Sequence, residues 1–369
     1  MIRLARPQVG REEIEEITSV MESGFLTNGP KVGEFEHALA EYLNIKHVIA
    51  VSSGTAALHL TLLALGMGES DEVIVPDFTF PAVANSVVLA GGKPVFCDID
   101  LATFNIDPSE IENLITERTK MIMPVHQFGL AAPMGAIMEI AQHRGVIIVE
   151  DAACALGADY QGRKCGTFGL VSCFSFHPRK IITTGEGGLV VASDDVVADR
   201  VRSLRNHGSD GGDFTMLGYN YRMSDLNAAI GMAQIRKLEK LIARHRELAR
   251  TYNEHLAETL GLILPYEPEG YGHTYQSYVV RLDQRLDRDG ILAALNKEGI
   301  EAGIGTYAVH MLKYYREQPG VNRDRLSRSK LAYQQTLSLP LYPTMSLEDV
   351  ECVCKALKYH LKKRHKFNA

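Results

Sequence analysis

Seven short apolar runs between residues 47 and 191 constrain what this chain can fold into more than any other feature. They read HVIAV at 47–51, EVIV at 72–75, PVFC at 94–97, MIMPV at 121–125, GVIIV at 145–149, VSCFSF at 171–176 and GGLVV at 187–191. Within each run the hydrophobicity is continuous, which is the signature of strands covered on both faces. Helix-like segments lie between them, so the sequence predicts an α/β large domain in which helices sandwich a mostly parallel sheet. Before the runs, Ile14, Ile17, Val20 and Met21 fall at helical spacing. After them, Ser224 to Leu256 reads as one long helix bridging two domains. The segment YQSYVVRL at 275–282, a helix near 287–297, an apolar stretch from Ile300 to Ile304 and a final helix from about Leu347 then form a smaller α+β unit. The expected division is a large domain over 1–245 and a small C-terminal domain over 246–369.

Composition narrows the function classes. The 369 residues are 46% hydrophobic, enough for a sizeable core, and the formal net charge is −6. No global field favours nucleic acid or an anionic membrane, and neither is expected as a partner. No apolar stretch approaches the length of a membrane helix, and the start MIRLARPQVGREEIEE has no signal-like apolar region, so a cytoplasmic location is expected. None of the six cysteines has zinc-ligand spacing; reduced thiols and no metal are expected.

Ligands of open parallel sheets bind beyond the carboxyl ends of the strands. The polar residues gather there: Asp77 after the second run, Asp98 after the third, His126 and Gln127 after the fourth, Glu150 and Asp151 after the fifth. One site could collect them all. At Ser52-Ser53-Gly54-Thr55 a strand turns into a helix, giving either an ordinary N-cap or a cradle for an anion. Neither the P-loop pattern nor GxGxxG is present. In VIIVEDAAC, buried apolar residues deliver two carboxylates to the sheet edge. Asp151 either caps the following segment or faces a cation such as a protonated pyridine nitrogen. In CFSFHPRKIITTGEGG, Ser175 and Lys180 follow a strand and a glycine-rich loop comes next; Lys180 is a surface charge or an amine nucleophile.

In order along the chain, GFLTNGPKVGEFEHALAEYL, SSGTAALHLTLLALG, DEVIVPDFTFPAVANSV, PVFCDID, EDAACALGADYQGRKCGTFG, CFSFHPRKIITTGEGG and LGYNYRMSDLNAAIGMAQ resemble the DegT/DnrJ/EryC1/StrS family of sugar aminotransferases. That family belongs to the fold-type I class dependent on pyridoxal 5′-phosphate (PLP). The resemblance implies that Lys180 is the Schiff-base lysine and Asp151 the partner of the ring nitrogen. It gives Phe80 the role of stacking on the ring, and Gly54, Thr55, Ala56 and Ser175 that of holding the phosphate. Asn220 matches a phosphate contact supplied by the neighbouring subunit, implying a homodimer with its active site at the interface. Tyr307 and His310 fall in a region that lines the substrate pocket. Where many members place Gln, His or Glu beside the phenolic oxygen, this chain has Cys154. The implied reaction passes an amino group, through the pyridoxamine 5′-phosphate form of the cofactor, from L-glutamate to a nucleotide-linked ketosugar for glycan, O-antigen or secondary-metabolite biosynthesis. A sugar dehydratase or a cyclitol (inosose) aminotransferase is the alternative; dehydratase members carry histidine where Lys180 stands. A non-catalytic sensor would lack Lys180 or Asp151.

Overall fold

The computed structural model describes residues 1–318 and 323–365. The apolar runs form one seven-stranded sheet: β1 (His47–Val51), β2 (Glu72–Pro76), β3 (Lys93–Cys97), β4 (Thr119–Ile122), β5 (Ile147–Asp151), β6 (Val171–Ser175) and β7 (Gly188–Ala192). Their spatial order is β1-β7-β6-β5-β4-β2-β3. β7 runs antiparallel to both neighbours, and every other pairing is parallel. Along β7 the faces separate cleanly. Val190 and Ala192 join the core beneath helix α3 (Gly54–Ala64), whereas Leu189 and Val191 pack with Phe35, Leu39 and Leu43 of helix α2 (Pro30–Leu43). Two covered faces explain why the runs lack polar alternation. Helix α3 is itself buried from Ala56 through Leu62 and so carries no amphipathic stripe.

The expected helix from Ser224 to Leu256 is two helices, Asp225–Ile235 and Leu238–Leu256. No proline or glycine breaks it. The turn at Arg236 and Lys237 is held from outside, by the acidic face of the N-terminal helix Arg11–Ser23. Arg236 pairs with Glu16 at 2.8 Å, and Lys237 reaches Glu12 at 3.1 Å and the buried Glu13. The second helix bridges two cores. Leu238, Leu241 and Ile242 pack with the large sheet, while Leu248, Ala249, Tyr252 and Leu256 pack with a small antiparallel sheet. That sheet has the order Leu262–Ile263, Tyr278–Leu282, Thr336–Leu339, and helices Arg288–Lys297 and Leu347–His365 accompany it. The chain start returns to this C-terminal unit: Ile2 pairs with Ile300, and Leu341 N–H bonds the Leu4 carbonyl. Among the described residues no helix is long and apolar enough to cross a membrane.

Candidate active site

The strand-end acids do not share one site; the fold sorts them. Asp77, fully buried, accepts the His310 backbone N–H at 2.8 Å and lies 2.5 Å from His310 Nδ1. Asp98 accepts the Ser329 N–H and hydroxyl at 2.7 and 2.6 Å and the Arg328 N–H at 2.9 Å. Asp77 therefore clasps His310, and Asp98 the Arg328–Ser329 turn, to the large sheet. Glu150 accepts N–H groups from Gly166, Phe168 and Gly169, each at 2.7 Å, and pairs with His126 Nε2 at 2.8 Å. Ala132 N–H donates to His126 Nδ1, so the imidazole bridges Glu150 and the Ala132 backbone and serves as a post for the loop. Period-two geometry sends Glu150 and Asp151 to opposite sides of β5, and only Asp151 is left with little to neutralise it.

Asp151 is 5% exposed and accepts one N–H, from Ala153 at 2.9 Å. Burial pushes its carboxyl above the usual range, against the pull of the Ala153 N–H and the charge of Lys180. Such a group seeks a cation. Lys180 stands across from it in the turn after β6, where its own N–H closes on the His177 carbonyl at 2.8 Å. Its Nζ lies 3.0 Å from Cys154 Sγ. Three distant side chains hold this turn. Gln276 donates to the Arg179 carbonyl at 2.7 Å, Asn227 to the Thr184 carbonyl at 2.6 Å, and Gln234 accepts the Thr183 N–H at 3.3 Å. Sequence reasoning missed all three, since their partners lie 43 to 97 residues away and no local pattern marks them.

The turn from β1 into α3 closes the same rim. Ser53 caps the helix by accepting the Ala56 N–H at 3.1 Å, and the first intrahelical bond runs from Ala57 N–H to the Ser53 carbonyl. The N–H groups of Gly54 and Thr55 precede it and remain available to an anion. A Cβ on Gly54 would come within 2.8 Å of Ser175 Cβ, and one on Gly188 within 2.3 Å of the Ser53 carbonyl oxygen. Glycine at these two places lets the cradle press against the ends of β6 and β7.

The other expected residues lie around this rim. Phe80 follows β2 and is 64% exposed, its ring centroid 6.3 Å from that of the half-buried Tyr307. Tyr307 pairs with Thr79 along the strand. His310 is 3% exposed, and its Nδ1 and N–H are both engaged by Asp77. Asn220 is exposed; its neighbour Tyr221 accepts the Ser52 N–H at 2.8 Å, which places the segment beside the end of β1. A buried carboxylate, a lysyl amine, two unspent helix N–H groups and an uncovered aromatic thus fit a phosphorylated, cationic heteroaromatic aldehyde such as PLP.

Comparison with known proteins agrees. Residues 7–358 match the family described as the DegT/DnrJ/EryC1/StrS aminotransferase family. The chain is 38% identical to the spore coat polysaccharide biosynthesis protein SpsC of Bacillus subtilis, over 95% of each chain. The aminotransferase TlmJ from Streptoalloteichus hindustanus is 34% identical and superposes with a TM-score of 0.92, covering 98% of this chain and 99% of its own. The PLP form of a sugar aminotransferase from Streptococcus pneumoniae, Spr1654, is 27% identical with a TM-score of 0.93, covering 97% and 98%. With its fold and nearly its whole length in agreement, the chain belongs to the DegT/DnrJ/EryC1/StrS aminotransferase family, a PLP-dependent family.

Proposed function

We propose that this enzyme transfers an amino group from an amino acid, L-glutamate in the first instance, to a nucleotide-linked ketosugar, and that it works as a homodimer. The observation that carries the reading is the meeting of Lys180 with Asp151, the one strand-end acid left without a protein clasp, beside the Gly54–Ala56 cradle. When bound, PLP supplies an aldehyde carbon for amine capture and a protonated ring that spreads the electron pair left by a departing α-proton. The protein's own tasks follow from position. Asp151 keeps the proton on the ring nitrogen, and burial strengthens that hold because the carboxylate has few other donors. The N–H groups of Gly54 and Thr55, with the Ser175 hydroxyl, hold the phosphate, while Phe80 offers a flat face to the ring. Lys180 Nζ takes the proton from the substrate carbon and returns it to the cofactor carbon. Exposed apolar residues, among them Phe25 at 59% and Leu217 at 84%, support a covering second copy, to which we assign the burial of the Asn220 segment. SpsC, a polysaccharide biosynthesis protein, supports a sugar acceptor.

Replacing Lys180 with Ala should abolish both the visible absorbance of the bound cofactor and turnover. In the parent enzyme, glutamate should bleach that absorbance and a 3-keto or 4-keto nucleotide sugar should restore it. A Lys180→Ala protein with unchanged colour and activity refutes the assignment.

A further inference from the structure

We propose that Cys154 is a positioning residue for amino transfer: its thiol is the seat on which the Lys180 amine rests whenever that amine is not bonded to the cofactor. Among the described residues Cys154 Sγ, at 3.0 Å, is the only hydrogen-bond partner of Lys180 Nζ. The seat is fixed from three sides. Ala153 N–H bonds Asp151, Ala152 N–H bonds the Cys173 carbonyl at 2.8 Å, and Ala155 N–H closes a turn on the Ala152 carbonyl at 2.9 Å. Beneath lies Gly129, at φ +95°, where a Cβ would stand 3.2 Å from the Cys154 carbonyl oxygen. One rigid turn thus sets both the ring-nitrogen carboxylate and the thiol.

The chemistry of sulfur suits the task. The inference rests on the proposed role of Lys180, which must leave the cofactor in one half of the cycle, act as a base, and return in the other. A free lysine has four flexible carbons and many rotamers, so an anchor raises the fraction of time spent within reach. An anchoring carboxylate would also hold the amine as ammonium and so remove the base. A thiol accepts only weakly, which orients Nζ with a looser hold than a carboxylate would exert.

The test uses holoenzyme carrying Cys154→Ala, Cys154→Ser or Cys154→Asp. Three quantities are followed: the single-turnover rate of bleaching by glutamate across pH, the cofactor dissociation constant, and acylation of Lys180 in the pyridoxamine form, read by peptide mass spectrometry. Loss of one weak hydrogen bond should slow bleaching by Cys154→Ala roughly three- to tenfold and speed acylation of the released amine, with cofactor affinity changed less than about twofold. Cys154→Ser should recover most of the rate. Cys154→Asp should move the rising limb of the rate–pH profile to higher pH, as an adjacent carboxylate favours ammonium. An alanine variant matching the parent in rate, pH profile and acylation, or a serine variant as slow as alanine, overturns the proposal. A parent enzyme that glutamate cannot bleach overturns the aminotransferase reading, and this inference with it; normal bleaching in parent and alanine variant alike overturns only the role of Cys154.

Discussion

A carboxylate at the position of Asp151 costs the protein stability until a cation arrives. Its pKa is raised by burial, so in the cofactor-free protein the favourable contribution belongs to the protonated form. That contribution is complete below the unfolded value near 3.9 and is lost as pH climbs through the raised folded value. At neutral pH the ionised group is therefore a burden. Asp151→Asn should raise the melting temperature of the cofactor-free protein at pH 7, an advantage that calorimetry should find gone at pH 3.5. PLP should stabilise the variant less than the parent, and turnover should fall by roughly 10²–10³, the range for loss of one preorganised electrostatic contact. At this scale the sequence singles out Lys180 and Asp151 because residue type and strand-end position coincide, and the fold brings both to one rim. The sequence is silent where two acids look alike. Asp77 and Asp98 follow their strands just as Asp151 does, and only partners more than 200 residues away, His310 and Ser329, turn them into clasps.

Between elements, buried His245 ties the bridging helix Leu238–Leu256 to the segment around Tyr275, whose turn buried His273 holds from within. His245 Nδ1 donates to the Tyr275 carbonyl at 2.8 Å, and His273 Nδ1 accepts the Tyr275 N–H at 3.0 Å. Burial holds His245 down to about 4 and His273 down to about 3. A base with a lowered folded pKa stabilises fully above its unfolded value near 6.5 and loses that contribution as pH falls. Each should cost about 2 kcal/mol between pH 7 and pH 5, on the scale of 1.36 kcal/mol per unit. Urea midpoints at the two pH values should show the drop, and His245→Asn, which keeps a donor near the Nδ1 position, should reduce it. The helix itself illustrates what periodicity cannot reveal: its break at Arg236 and Lys237 is imposed by Glu12, Glu13 and Glu16 on another helix, so no breaker residue announces it.

Across the whole molecule, the apolar runs disclosed the sheet and its two helical layers because double burial erases alternation. They did not disclose that β7 runs against its neighbours, since a strand buried on both faces is equally apolar in either direction. The shared site proposed for the dimer has an arithmetic signature. Alone, Lys180→Ala should be inactive and Asn220→Asp weakly active. Unfolded together and refolded as a mixture, they should regain about a quarter of parental activity, because half the dimers are mixed and each mixed dimer has one intact site. If both residues of a site come from the same chain, no activity returns. The 19-residue helix Leu238–Leu256 carries a last consequence, because its two ends are embedded in different hydrophobic cores. Neither core can melt while that rod stays whole. Heating should therefore give a single endotherm whose calorimetric and van't Hoff enthalpies agree when both are counted per cooperative unit, and fragments cut within the rod should fail to fold on either side of the cut.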